Sequence, residues 1–172
     1  SRELAEAYIR RCLGDRADDP RWGVFLDRIN GVVDFLESRT RLRFHLTNYP
    51  DAFAEWPEGS AARHLATELI DTGRLGAFRQ LVRKPPGAQP HMRFRDFEGM
   101  KVPFLLTRLA KAKLAPRVMW RTIRGRVGMG HGFVVGLVEA CLARGVRFEL
   151  RTRAVRFLLD GDRVVGVVAV RD

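Results

Sequence analysis

The stretch from 128 to 170 limits what this chain can become more than any other. Gly128-Met129-Gly130-His131-Gly132 leads into 133–144, where Phe133, Val134, Val135, Leu137, Val138, Ala140, Cys141 and Leu142 leave almost no polar face. A helix that is apolar nearly all round is buried rather than laid on a surface. Gly145 stands where a left-handed C-terminal cap belongs. Val146, Phe148 and Leu150 then alternate as one strand, 154–159 reads as a second, and 164–170 as a third after the turn Asp160-Gly161. Such a unit is a helix packed on a small sheet with a β-hairpin.

The first forty residues are helical in pattern. Leu4, Tyr8, Ile9 and Leu13 form an apolar stripe over 2–13, and Gly14 ends it. Asp18-Asp19-Pro20 starts a second helix over 22–37, with Val24, Phe25, Ile29, Val32, Val33 and Leu36 recurring at three and four. Beyond Arg39 the period changes. Leu42, Phe44 and Leu46 alternate with Arg43 and His45, which predicts a short strand with the latter two on its wet face. Turn chemistry marks 48–51 and 56–60, a brief strand fits 65–70, and one or two helical turns fit 75–82. The proline-rich 83–90 reads as an irregular loop, and 97–114 as mostly helical with Pro103 near its start. The fold class is therefore α+β: a helical N-terminal portion, an irregular middle and the helix-plus-hairpin unit. The domain boundary is expected between 1–127 and 128–172.

Composition narrows the function classes. At 172 residues, 46% hydrophobic and 30% charged, this is a globular composition. No apolar run nears the roughly 20 residues a bilayer-spanning helix needs. Ser1-Arg2-Glu3-Leu4 does not begin a secretory signal. Cys12 and Cys141 are far apart, which excludes a disulfide scaffold or a cysteine-built zinc site and fits a cytoplasmic location. The net charge is +11, and apart from Lys84, Lys101, Lys111 and Lys113 every basic side chain is arginine. That charge favours acidic partners. It is spread from Arg2 to Arg171 rather than gathered in a block, so specific nucleic-acid binding is not expected.

Two places could carry chemistry. Glycines entering a helix let a ligand approach backbone closely, and the free N–H groups there favour a negative or electron-rich group. The same glycines also serve a tight entry turn, and 128–132 is neither a G-x-G-x-x-G after a strand nor a phosphate loop. Within it His131 is the one histidine of interest; His45, His64 and His91 show no ligand spacing. Tyr49 lies in the polar turn Asn48-Tyr49-Pro50-Asp51, where a phenol can act as acid or hydrogen-bond donor. Cys141 falls on the apolar helix as a core residue.

Several of these segments resemble one enzyme family. Gly130-His131-Gly132-Phe133, the helix to Arg144-Gly145-Val146, Phe157-Leu158-Leu159, Gly161 and Arg163-Val164-Val165-Gly166-Val167 are similar to the middle of the FAD-dependent fumarate reductase, succinate dehydrogenase and 3-ketosteroid dehydrogenase flavoproteins. Tyr49-Pro50-Asp51-Ala52-Phe53-Ala54-Glu55, with Pro57, Gly59 and Arg63, resembles the Y-P-D-Y-x-P-E stretch of the ketosteroid branch. Phe53 stands where that branch often has tyrosine, and Gly59-Ser60 replaces its double glycine. The family's G-x-G-x-x-G turn, its ribose-binding acid and its C-terminal flavin segment are not among these residues, so the likeness is to a middle portion that alone would bind FAD weakly or not at all. The resemblance implies an FAD-dependent parent that moves a hydride to or from a C–C bond beside a carbonyl of a small-molecule substrate, steroid-like or a dicarboxylate. It implies Gly130, His131 and Gly132 near the isoalloxazine, backbone at Ala154 or Val155 near the adenine, and Tyr49 in the substrate pocket. The alternative reading is a non-enzymatic basic module that binds nucleic acid or another acidic partner.

Overall fold

A computed structural model describes residues 1–84, 91–96 and 104–171. The order is helix α1 (Arg2–Leu13), α2 (Arg21–Arg39), strands β1 (Phe44–Leu46), β2 (Leu65–Thr67) and β3 (Ile70–Asp71), then 3-10 turns at Gly73–Gln80 and Phe94–Asp96. There follow α3 (Phe104–Ile123), β4 (Arg126–Val127), α4 (Met129–Ala143), β5 (Thr152–Asp160) and β6 (Arg163–Arg171). The strands form three antiparallel pairs, β1 with β2, β3 with β4 and β5 with β6. The α+β class read from the sequence holds.

Contacts divide the chain into two compact units, Ser1–Cys141 and Leu142–Asp172. In the first unit α1 starts on Ser1, whose hydroxyl accepts the Leu4 N–H at 3.4 Å, and ends on Gly14. Pro20 stands at the start of α2, and just ahead of it Asp19 accepts the Arg21 N–H at 2.9 Å, satisfying a free donor of the first turn. Neither helix buries a residue fully. The core gathers instead between β1, β3, β4 and α4, around Leu42, Ile70, Val127 and Val135. Two glycines let α4 come that close. A Cβ on Gly136 would stand 2.6 Å from Leu42 Cγ, and one on Gly132 3.0 Å from the Val127 carbonyl oxygen.

Several expectations need correction. His45 is buried at 8% exposure and Leu46 exposed at 63%, the reverse of the predicted faces of β1. The ladder explains the inversion: His45 pairs opposite Ala66, a core residue, and its ring nitrogen Nδ1 lies 3.1 Å from Glu68 Oε1. The brief strand at 65–70 is two strands, each paired elsewhere. α4 begins at Met129, so most of the glycine cluster belongs to its first turn and does not precede it. α4 is also less enclosed than its composition implies: Val134 is exposed, and Leu137, Val138 and Cys141 are half-buried. α3 continues beyond 114 to Ile123 with Pro116 inside it. The loop at 85–90 and the start of the expected helix at 97–103 lie outside the described residues.

In the second unit, 146–150 forms no strand. β5 and β6 pair from Thr152↔Arg171 to Asp160↔Arg163, which leaves the two-residue loop Gly161-Asp162. Gly161 takes φ +58°, the positive φ that a type II′ turn requires at its first central position. Register shifts leave Val155 and Val165 as extra residues at two bulges.

Candidate functional site

Tyr49 is presented by a loop that the sequence anchors on Asp51. Asp51 is 7% exposed. Its backbone N–H donates to Ser60 O at 2.8 Å, and its carboxylate accepts the Ser60 N–H at 2.9 Å. The same carboxylate lies 3.0 Å from Arg63 Nη1 and 3.3 Å from His64 Nε2. Arg63 also donates to Glu58 O at 2.8 Å. Turn 48–51 is thereby tied to 58–64 by bonds to a buried anion, the kind worth most. The second turn folds on itself where Phe53 stacks on Trp56, with centroids 4.4 Å apart. Tyr8 of α1 braces it by accepting the Phe53 N–H at 3.3 Å. Desolvation raises the Tyr8 phenol above its ordinary pKa, against the lowering effect of that bond.

What the anchored loop presents is an open phenol. Tyr49 is 54% exposed, with its ring edge-on to Phe94 at 5.2 Å and to His64 at 5.8 Å. These three line a cleft of about 320 Å³ with Thr47 and Leu65. An exposed phenol beside an imidazole that is itself held by a buried carboxylate can give or take a proton at a molecule lying in the cleft. Sequence alone singles out Tyr49, Asp51, Gly59 and Arg63, whereas His64 has no ligand spacing and nothing in the pattern marks Phe94. The signal for His64 was its place one residue after Arg63, since both reach back to Asp51.

The glycine segment lies elsewhere in the same unit. Met129 opens α4 at φ +54°, a left-handed conformation that costs a non-glycine residue about 1–2 kcal/mol. The Thr67 hydroxyl donates to its carbonyl at 2.9 Å and holds it there. Gly130 is exposed, with nothing within 4 Å of where a Cβ would stand, whereas Gly132 is packed on Val127. His131 is half-buried beside a cavity of about 420 Å³. Desolvation, then the charges of Lys84 and His91, push the His131 pKa below its usual range, against a bond to the Arg83 backbone. Ala154 and Val155 lie in the other unit, exposed at the β5 bulge. The structure thus brings Tyr49 together with His64 and Phe94, and describes Ala154 and Val155 in a separate unit.

Among the described residues no group of three or more His, Cys, Asp or Glu could hold a metal, and no helix is long and apolar enough to cross a membrane. Many arginines are already engaged: Arg11 with Glu58, Arg41 with Glu139, and the enclosed Arg121 with Asp96. Burial works to raise the Asp96 pKa, but hydrogen bonds from Arg121 and the Arg93 N–H, together with the charges of both arginines, hold it below the usual range.

The family model for the FAD binding domain matches residues 1–172. The chain belongs to that family. Its cofactor in the parent protein is FAD. The crystal structure of 3-ketosteroid delta1-dehydrogenase from Sterolibacterium denitrificans, in complex with 1,4-androstadiene-3,17-dione, superposes with a TM-score of 0.76 at 20% identity. The match covers 100% of this chain and 34% of that one, so the FAD binding domain chain described here spans about a third of its structural relative. At that identity the likeness establishes the shared fold. No curated protein matches.

Proposed function

We propose that this FAD binding domain chain is part of a dehydrogenase or reductase that moves a hydride to or from a C–C bond beside a carbonyl. Tyr49 handles the accompanying proton. The observation that carries the reading is the exposed Tyr49 phenol over its cleft, on a loop locked by buried Asp51. When bound, the flavin supplies the redox step, and the protein supplies orientation and proton transfer.

The described residues fit such a cofactor where backbone is open to it. Gly130 leaves the first turn of α4 uncovered, and the reading places Gly130, His131 and Gly132 toward the isoalloxazine. Of these, Gly132 acts through packing that sets α4 in place. Ala154 and Val155, exposed at a bulge, are placed toward the adenine. The cleft wall of Tyr49, Phe94 and Leu65 favours a flat apolar ketone, and the steroid bound by the structural relative supports that substrate class. No arginine or lysine among the described residues lines the cleft, so nothing there supports a dicarboxylate.

The test is Tyr49→Phe in the intact protein. Single-turnover flavin reduction should slow by about 10²–10⁴-fold, the usual worth of a positioned proton donor. Flavin content and melting temperature should stay unchanged, because the hydroxyl is not part of the core. An unaltered reduction rate would remove Tyr49 from the site.

A further inference from the structure

The cavity beside His131 has a chemistry of its own, unlike that of the Tyr49 cleft. Its floor is apolar and enclosed: Leu75 and Val127 are 4% exposed and Val135 1%. Its rim carries Arg79, Lys84, His91 and His131, and no carboxylate lines it among the described residues. Arg79 and Lys84 pair with no acid among those residues, unlike Arg63 or Arg121. Arg79 is set over the backbone of Gly125, where a Cβ would stand 3.1 Å from its Nη2. His91 is fixed by Nδ1 at 2.7 Å from the Arg126 carbonyl oxygen. Desolvation first, then the charges of Lys84 and His91, hold the His131 pKa down, so these two side chains reach the same cavity. Like charges converging without a counter-charge are unfavourable, and a bound anion relieves them.

We propose that this cavity binds an organic anion: a carboxylate or phosphate head held by Arg79 and Lys84, with its apolar tail on Leu75, Val127 and Val135. The site goes beyond the hydride-transfer reading and does not depend on Tyr49. A lone inorganic anion would leave the apolar floor unused, and a neutral lipid would leave the rim unpaired.

Calorimetric titration of the intact, FAD-loaded protein tests this with four probes: octanoate, octyl phosphate, inorganic phosphate and octanol. Octanoate or octyl phosphate should bind one to one, at least about tenfold tighter than either probe that lacks half of the ligand. Whichever of the two binds tighter identifies the head group. The double substitution Arg79→Gln with Lys84→Gln should weaken that binding by about tenfold or more, and Tyr49→Phe should not alter it. Both basic side chains are exposed, so the double variant should melt with the parent; if it melts early, Arg79→Gln alone serves. Three results would overturn the proposal: equal affinity in the folded variant, inorganic phosphate binding as tightly as octanoate, or binding only after FAD is removed. The last would make the cavity the cofactor's own. Flavin reduction in Tyr49→Phe is a separate readout, so failure of the hydride-transfer reading would not be confused with failure here.

Discussion

In Ser1–Cys141 the side chains of Leu42, Ile70, Val127 and Val135 are 1–4% exposed, whereas in Leu142–Asp172 those of Phe157, Leu159, Val164 and Val165 all exceed half exposure. The two units are equally apolar in their strands, so composition does not explain the contrast. The first closes around residues brought from far apart in sequence: Leu42, Ile70 and Val127 meet under two glycines of α4. The second is a single hairpin whose ladder is set by its own turn and bulges, with apolar residues on both faces. Local pairing can specify a hairpin's register, but a two-stranded ribbon cannot enclose its own side chains. Long-range packing therefore encloses the core of the first unit, whereas in the second the ladder sets the register without enclosing these side chains.

Substitutions can break that comparison. The largest effect is expected at Leu42, where Leu42→Ala should lower unfolding free energy by about 2–5 kcal/mol in a denaturant melt, the range for an enclosed leucine. A loss below about 1 kcal/mol would mean that the site is not a packed core. Next comes Gly136→Val, which drives a branched side chain into Leu42 and should cost about 1–3 kcal/mol. If it costs nothing, α4 can shift away from the core and its glycines are not required for packing.

Acid sharpens the comparison on the side of charge. Because Asp96 titrates below its ordinary value in the fold, its ionised form favours the folded state. That contribution is complete above the unfolded value near pH 4 and is lost as pH falls through the lower folded value. Urea midpoints of the parent and of Asp96→Asn should therefore differ at pH 7 and converge as pH falls below about 4. A gap that persists at low pH would show that the substitution acts through shape and not through charge. The smallest effect is expected in the hairpin, where Phe157→Ala removes a 65% exposed ring and should change stability by less than about 0.5 kcal/mol. A larger loss would show that Phe157 is enclosed after all.

Much of the fold was legible because it is local. The spacing of Leu4, Tyr8 and Leu13 and the punctuation at Gly14 and Pro20 fixed α1 and α2 nearly to their ends. Asp160-Gly161 fixed the hairpin turn. The site was half legible: Tyr49 stood out as a phenol in a polar turn, but its neighbours Phe94 and His64 are joined to it only through packing and a buried carboxylate.

What the sequence determined by itself follows from short-range rules: helical period, capping, turn chemistry and the resemblance carried by contiguous motifs. What only the tertiary structure decided depends on partners distant along the chain. His45 turned inward because Ala66 across the ladder faces the core and Glu68 comes within reach of its ring. The stretch 146–150 is strand-like in pattern yet irregular in the fold, since alternation alone does not complete a strand. Arg79, Lys84, His91 and His131 look scattered along the sequence, and they share one cavity because the turn after β3, the stretch before α3 and the start of α4 converge there. Periodicity records which face of an element is apolar; which other element meets that face is settled by the packing of the whole chain.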